Sequence, residues 1–131
     1  MHYVFVYGTL REGETNAHFL KGATYIEKDA WIYGLLFDTN EGYPAMILYS
    51  DQKVFGEVYE VDDVMLQALD ELEEYTGNPK EDLYDRSIQT ICIGEKTLQA
   101  YVYTAQQQDI LKIPIVSGDW VLYRKSLCEQ S

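Results

Sequence analysis

The chain has 131 residues, 47% of them hydrophobic, which fits one compact domain, 1–131, with a sizeable core. Acidic residues number 22 against 10 basic ones, a net charge of −12, so phosphate backbones and anionic membrane surfaces are repelled and neither nucleic acid nor membrane is an expected partner. Two cysteines do not make a secreted disulfide framework, and without a leader pattern or an apolar run near the ~18 residues of a membrane span the expected setting is cytoplasmic.

Strand signals open the chain at residues 3–7, where Tyr3-Val4-Phe5-Val6 runs into Tyr7-Gly8-Thr9-Leu10-Arg11. That turn follows a strand and is built from small residues. Gly8 admits close approach to the main chain, and successive N–H groups in such a turn can face a carboxylate. An ordinary glycine turn closed by Thr9 is the plain alternative. Residues 15–21 read as a short helix with Thr15 as N-cap and Gly22 as terminator. Residues 25–38 are rich in strand formers around Gly34. Residues 45–49 and 54–61 follow, separated by Ser50-Asp51-Gln52-Lys53, and read as a hairpin.

The clearest helix covers about 62–75, capped by Asp62 or Asp63 and stopped by Gly77-Asn78-Pro79. Residues 86–93 and 97–104 flank Gly94-Glu95-Lys96 as a second hairpin. A last short helix begins near Ser117-Gly118-Asp119-Trp120. Six or so strands, mostly antiparallel, predict an α+β fold: a small mixed β-barrel with flanking helices. The connections at 76–82 and 105–116 are where such a barrel builds a ligand site.

One carboxylate on the main helix stands apart. Glu73 lies four after Leu69 and seven after Leu66, so it shares their buried stripe, while Glu71 and Glu74 point elsewhere and Asp70 flanks the stripe. An inward carboxylate costs desolvation energy unless it is paired or used, and burial raises its pKa toward proton-transfer range. Snorkelling outward is the alternative. Twelve tyrosines offer an aromatic lining. Tyr101 and Tyr103 share one strand face, and Tyr7 ends the first strand. Ordinary strand packing of these tyrosines is the competing explanation. His2 and His18 are isolated, no Cys/His cluster has metal-ligand spacing, and there is no nucleophile elbow or P-loop. What remains is a carboxylate and a backbone cradle, which suits proton transfer with no metal and no cofactor.

These residues resemble the gamma-glutamylcyclotransferase-like proteins. The opening Val4-Phe5-Val6-Tyr7-Gly8-Thr9-Leu10-Arg11 with Gly13 and Asn16 is similar to theirs. So are Gly56-Glu57-Val58-Tyr59-Glu60-Val61, Leu69-Asp70-Glu71-Leu72-Glu73, Leu83-Tyr84-Asp85-Arg86 and Ala100-Tyr101-Val102-Tyr103. The resemblance implies a catalytic acid/base at Glu73 and a substrate-binding loop at Tyr7, Gly8, Thr9 and Leu10. Tyr84, Tyr101 and Tyr103 are expected beside them as substrate-binding residues of an aromatic-lined pocket. The Tyr-Gly-Thr-Leu form is nearer the branch acting on gamma-glutamyl amines. Glu74-Tyr75-Thr76-Gly77-Asn78-Pro79 departs from both branches and lengthens a loop expected to border the leaving group. The implied reaction is intramolecular cyclisation of a small gamma-glutamyl substrate to 5-oxoproline. A non-catalytic binding module with the same pocket and an acidic protein-interaction domain are the rival readings.

Overall fold

The computed structural model describes residues 1–78, 80, 82 and 84–129. In chain order it holds β1 (His2–Val6), a 3₁₀ turn (Ala17–Leu20), β2 (Thr24–Asp38), β3 (Pro44–Val61), α1 (Asp63–Leu72) and β4 (Tyr84–Ile93). Then come β5 (Lys96–Ala105), a second 3₁₀ turn (Gln108–Ile110), the short β6 (Ile113–Pro114) and α2 (Trp120–Glu129).

The sheet closes on itself. β1 runs antiparallel to β3, from His2 opposite Val61 to Val6 opposite Glu57, and parallel to β5 at Val4 and Tyr101. β4 and β5 form the expected hairpin, closing at Ile93 opposite Lys96. β4 meets β2 at Ala30–Ile93 and Trp31–Cys92, and β2 pairs with β3 along most of its length. The ring is therefore β3–β1–β5–β4–β2 and back to β3, with β6 pairing with the end of β2 at Phe37 and Asp38. This is the mixed, mostly antiparallel α+β fold that the strand pattern predicts.

Alternation along β1 divides the core. Phe5 and Tyr7 join a cluster with Ile32, Val58, Ile91 and Val102, one or more from every strand of the ring, so this cluster fills its interior. Trp120 from the start of α2 packs against it. Val4 and Val6 face the other way, toward Leu66 and Leu69 of α1. Burial of a leucine such as Leu69, which is fully enclosed, contributes about 2–5 kcal/mol as measured by truncation to alanine.

Three expectations are corrected. The hairpin at 45–61 is one continuous strand. Tyr33 lies opposite Lys53 and Gly34 opposite Leu48, so residues 49–52 are bulged out and both halves of β3 pair with β2. Gly34 lets the bend form, since a Cβ there would meet Met46 Cε at 2.5 Å and the Ile47 carbonyl at 2.7 Å. The helix at 15–21 is only a 3₁₀ turn with Asn16, not Thr15, at its N-cap. The main helix stops at Leu72, short of 75 and before Gly77 and Asn78; Pro79 lies outside the described residues. Its end is a Schellman arrangement, with Tyr75 N–H on the Asp70 carbonyl at 2.8 Å and Glu74 N–H on that of Glu71 at 3.1 Å. Glu74 takes the left-handed φ of 54° that this ending requires. The cap at the other end is as expected: the Asp62 carboxylate accepts from Met65 N–H at 2.8 Å.

Candidate active site

The turn after β1 is held from several sides. Arg11 N–H bonds the Gly8 carbonyl at 3.0 Å, and Asn16 N–H bonds the Thr9 carbonyl at 2.8 Å. Asn16 Nδ2 also donates to Thr9 Oγ1 at 2.9 Å. Arg11 reaches across to two other segments, with Nε 3.0 Å from Glu57 Oε2 on β3 and Nη1 2.9 Å from Asp119 Oδ1 before α2. Glu57 Oε1 takes further bonds from Glu12 N–H at 2.8 Å and Tyr59 Oη at 3.0 Å. Among the described residues, no protein acceptor takes the N–H groups of Gly8, Thr9 and Leu10. The turn is thus rigid and keeps main-chain donors free.

Gly8 also has a packing role that the sequence does not show. A Cβ there would stand 2.6 Å from Cγ and 2.8 Å from Cδ of Pro44. The proline ring at the start of β3 is thus packed closely against the turn. Gly8→Val therefore disturbs packing and is not a clean test of ligand binding.

A cavity of about 480 Å³ opens beside the turn, and Tyr7, Gly8, Thr9, Leu10, Glu73, Tyr84 and Tyr103 all line it. Glu73 caps the C-terminal end of α1 and is half-buried. Among the described residues no donor bonds its carboxyl group, and burial alone raises its pKa to about 7. The tyrosines around it are fixed through their own hydroxyls. Tyr7 Oη donates to the Tyr103 carbonyl at 2.6 Å, Tyr84 Oη to the Pro44 carbonyl at 2.9 Å, and Tyr103 Oη to Asp70 Oδ1 at 2.6 Å. Burial pushes all three phenols up; the next cause is Glu73 for Tyr7, the Tyr7 phenol for Tyr84 and the bond to Asp70 for Tyr103, so they stay neutral. Asp70 is itself held by Arg86 Nη1 at 2.5 Å.

Tyr101 is not among the lining residues. It lies instead against the Arg86 guanidinium, 4.6 Å from the ring centre, and beside the His2 ring. It shares a strand face with Tyr103, but two residues along a strand is about 6.6 Å, enough to leave the cavity. The lining also includes residues that the helical spacing excluded or that no motif marked. Glu74 lines the cavity although it was expected to point away, because the helix has ended and periodicity no longer applies. Glu41, Gly42, Tyr43 and Pro44 come from the β2–β3 connection. The turn chemistry of Asn40-Glu41-Gly42 marks a loop in the sequence but gives no sign of where it folds. Of the extended segment after Glu73, none of residues 75–78 lines the cavity.

The family model described as gamma-glutamyl cyclotransferase, AIG2-like, matches residues 4–122. The chain belongs to this family. It is 41% identical over 122 residues to the gamma-L-glutamyl-butirosin B gamma-glutamyl cyclotransferase of Niallia circulans, covering 92% of this chain and 76% of that protein. It is 36% identical over 120 residues to gamma-glutamylaminecyclotransferase A of Danio rerio, covering 81% of this chain and 70% of that one. Among solved structures, YkqA from Bacillus subtilis matches with a TM-score of 0.78 at 26% identity, over 99% of this chain and 43% of that one. The AIG2-like protein from Mus musculus shares the fold with a TM-score of 0.72 at 24% identity, over 89% of this chain and 86% of that one. Family membership makes the chain an enzyme of the gamma-glutamylcyclotransferase type.

Proposed function

We propose that this enzyme cyclises a gamma-glutamyl amine or gamma-glutamyl amino acid to 5-oxoproline, with Glu73 as the general acid and base. The observation that carries this reading is the Glu73 carboxyl: it has no hydrogen-bond donor among the described residues, its pKa is raised to about 7, and it shares a cavity with free main-chain donors. A group titrating near neutral pH can both take and return a proton.

The turn N–H groups receive the substrate α-carboxylate, and Tyr7, Tyr84 and Tyr103 wall the gamma-glutamyl chain into a bent shape. The α-amine, having lost its ammonium proton, attacks the γ-carbonyl carbon. A new C–N bond closes the five-membered ring, and the attacking nitrogen passes a proton to Glu73. The old amide C–N bond then breaks, and Glu73 returns the proton to the departing nitrogen. Nothing is oxidised or reduced. Holding nucleophile and carbonyl in contact supplies much of the acceleration.

The test is 5-oxoproline release from a panel of gamma-glutamyl amides. Wild-type protein should turn over at least one. Glu73→Gln should lose about 10²–10⁴ in kcat, with a smaller change in substrate affinity. Wild-type turnover in Glu73→Gln would overturn the assignment. Tight binding without any 5-oxoproline from the wild type would favour a non-catalytic binding module.

A further inference from the structure

The charges around the cavity are all of one sign. Its charged lining residues are Glu41, Glu73 and Glu74, and no Lys, Arg or His is among them. Glu73 is occupied by the chemistry. Glu41 and Glu74 are exposed, and neither makes an ion pair among the described residues. They come from separate segments, the β2–β3 connection and the turn after α1, yet both bear on the same ring. The Tyr43 phenol is pushed up by burial first, and then by Glu41, Glu74 and Glu73 in that order. Tyr43 also packs toward Tyr84, 6.4 Å between ring centres, so this group continues the aromatic wall of the catalytic cavity.

The arrangement has a consequence for the substrate. Its α-carboxylate needs a donor-rich place, which the turn N–H groups supply. A second anion, on the leaving half, would meet two uncompensated carboxylates. A cation there would meet two carboxylates and an aromatic face, a combination that attracts ammonium groups. We propose that the leaving half of the substrate carries a positive charge, received at Glu41, Glu74 and the face of Tyr43. This rests on the cyclotransferase reading of the same cavity and goes beyond it by fixing the chemical class of the amine released. Because both carboxylates are exposed, their pull is screened by salt.

Three gamma-glutamyl amides of matched length separate the possibilities: the 5-aminopentylamide (cationic), the hexylamide (neutral) and the amide of 6-aminohexanoate (anionic). The expected order of kcat/KM for 5-oxoproline release is cationic, neutral, anionic. Each step should be roughly three- to tenfold at low salt and should shrink at 0.5 M NaCl. The double variant Glu41→Gln, Glu74→Gln should draw the three values together, mainly through KM. The same order should appear when binding to Glu73→Gln is measured by calorimetry, where no turnover is needed. Equal values for the three amides, or a preference for the anion, would overturn the inference while leaving the cyclotransferase reading intact. No 5-oxoproline from any amide would count against that reading instead, and the calorimetric order would still decide the charge preference.

Discussion

At Glu73 one carboxyl group carries a burial cost for which the proposed acid–base role supplies a reason. Its pKa is about 4.5 in the unfolded chain and about 7 in the folded protein, raised by burial. A raised value means that the folded state prefers the protonated form. The stability this group contributes is therefore fully present below pH 4.5 and is lost as pH rises through 7. Above pH 7 the ionised form costs on the order of 2 kcal/mol, after allowance for solvent reaching it through the open cavity. Glu73→Gln should melt at the same temperature as wild type near pH 4.5 and several degrees higher at pH 8. In wild type, kcat/KM should show an acidic limb with a midpoint near 7. Thermal scans at both pH values check the first, and a flat difference between them would remove burial as the cause. The position of Glu73 was legible from its spacing to Leu66 and Leu69, because both leucines are buried on one helical stripe. Tyr101 was not legible in the same way. Periodicity gives a face, whereas a cavity occupies only a short length of that face.

The elements show why helix length misled the placement of Glu74. Apolar periodicity continues to Tyr75, but helix endings are set by backbone conformation. Glu74 occupies the left-handed position of a Schellman ending where glycine is favoured. A non-glycine residue there costs of order 1 kcal/mol. Glu74→Gly should therefore raise stability by about 0.5–1 kcal/mol, measured as a shifted midpoint in urea with an unchanged slope. A loss of stability would mean that the ending is held by contacts of the Glu74 side chain rather than by backbone geometry. β3 failed for a related reason. Ser50-Asp51-Gln52-Lys53 has turn chemistry, and a bulge uses the same residues as a turn. Only the partner distinguishes the two, and β2, with 15 residues, is long enough to pair with both halves. The β4–β5 hairpin, by contrast, was readable because Gly94 stands at its tip with a φ of 59°.

Across the whole molecule, the turn after β1 depends on residues distant in sequence. Arg11 joins it to Glu57 on β3 and to Asp119 ahead of α2, separations of 46 and 108 residues. No pattern in the sequence pairs these three; the closure of the ring brings them together. The arginine is 12% exposed and Glu57 6%, so this is a largely desolvated cluster in which each charge relies on the others. Removing one partner leaves the remaining carboxylates uncompensated. Arg11→Met, which keeps much of the apolar stem, should cost about 3 kcal/mol in stability. It should also lower kcat/KM for gamma-glutamyl amides, because the turn at residues 7–10 loses its attachment to two walls. Arg124 gives the contrasting case. It bonds Glu14 through Nε at 2.8 Å and Nη2 at 2.6 Å; Glu14 is only 4% exposed, but the arginine is 45% exposed. Arg124→Met leaves a single carboxylate, Glu14, unpaired at a site that the half-exposed arginine position opens to water, so it should cost less than Arg11→Met, about 1–2 kcal/mol, and leave turnover near wild type. Urea unfolding and 5-oxoproline release, measured on both variants, separate the two. Equal losses in the two variants would show that α2 as a whole, rather than the Arg11 cluster, holds the turn in place.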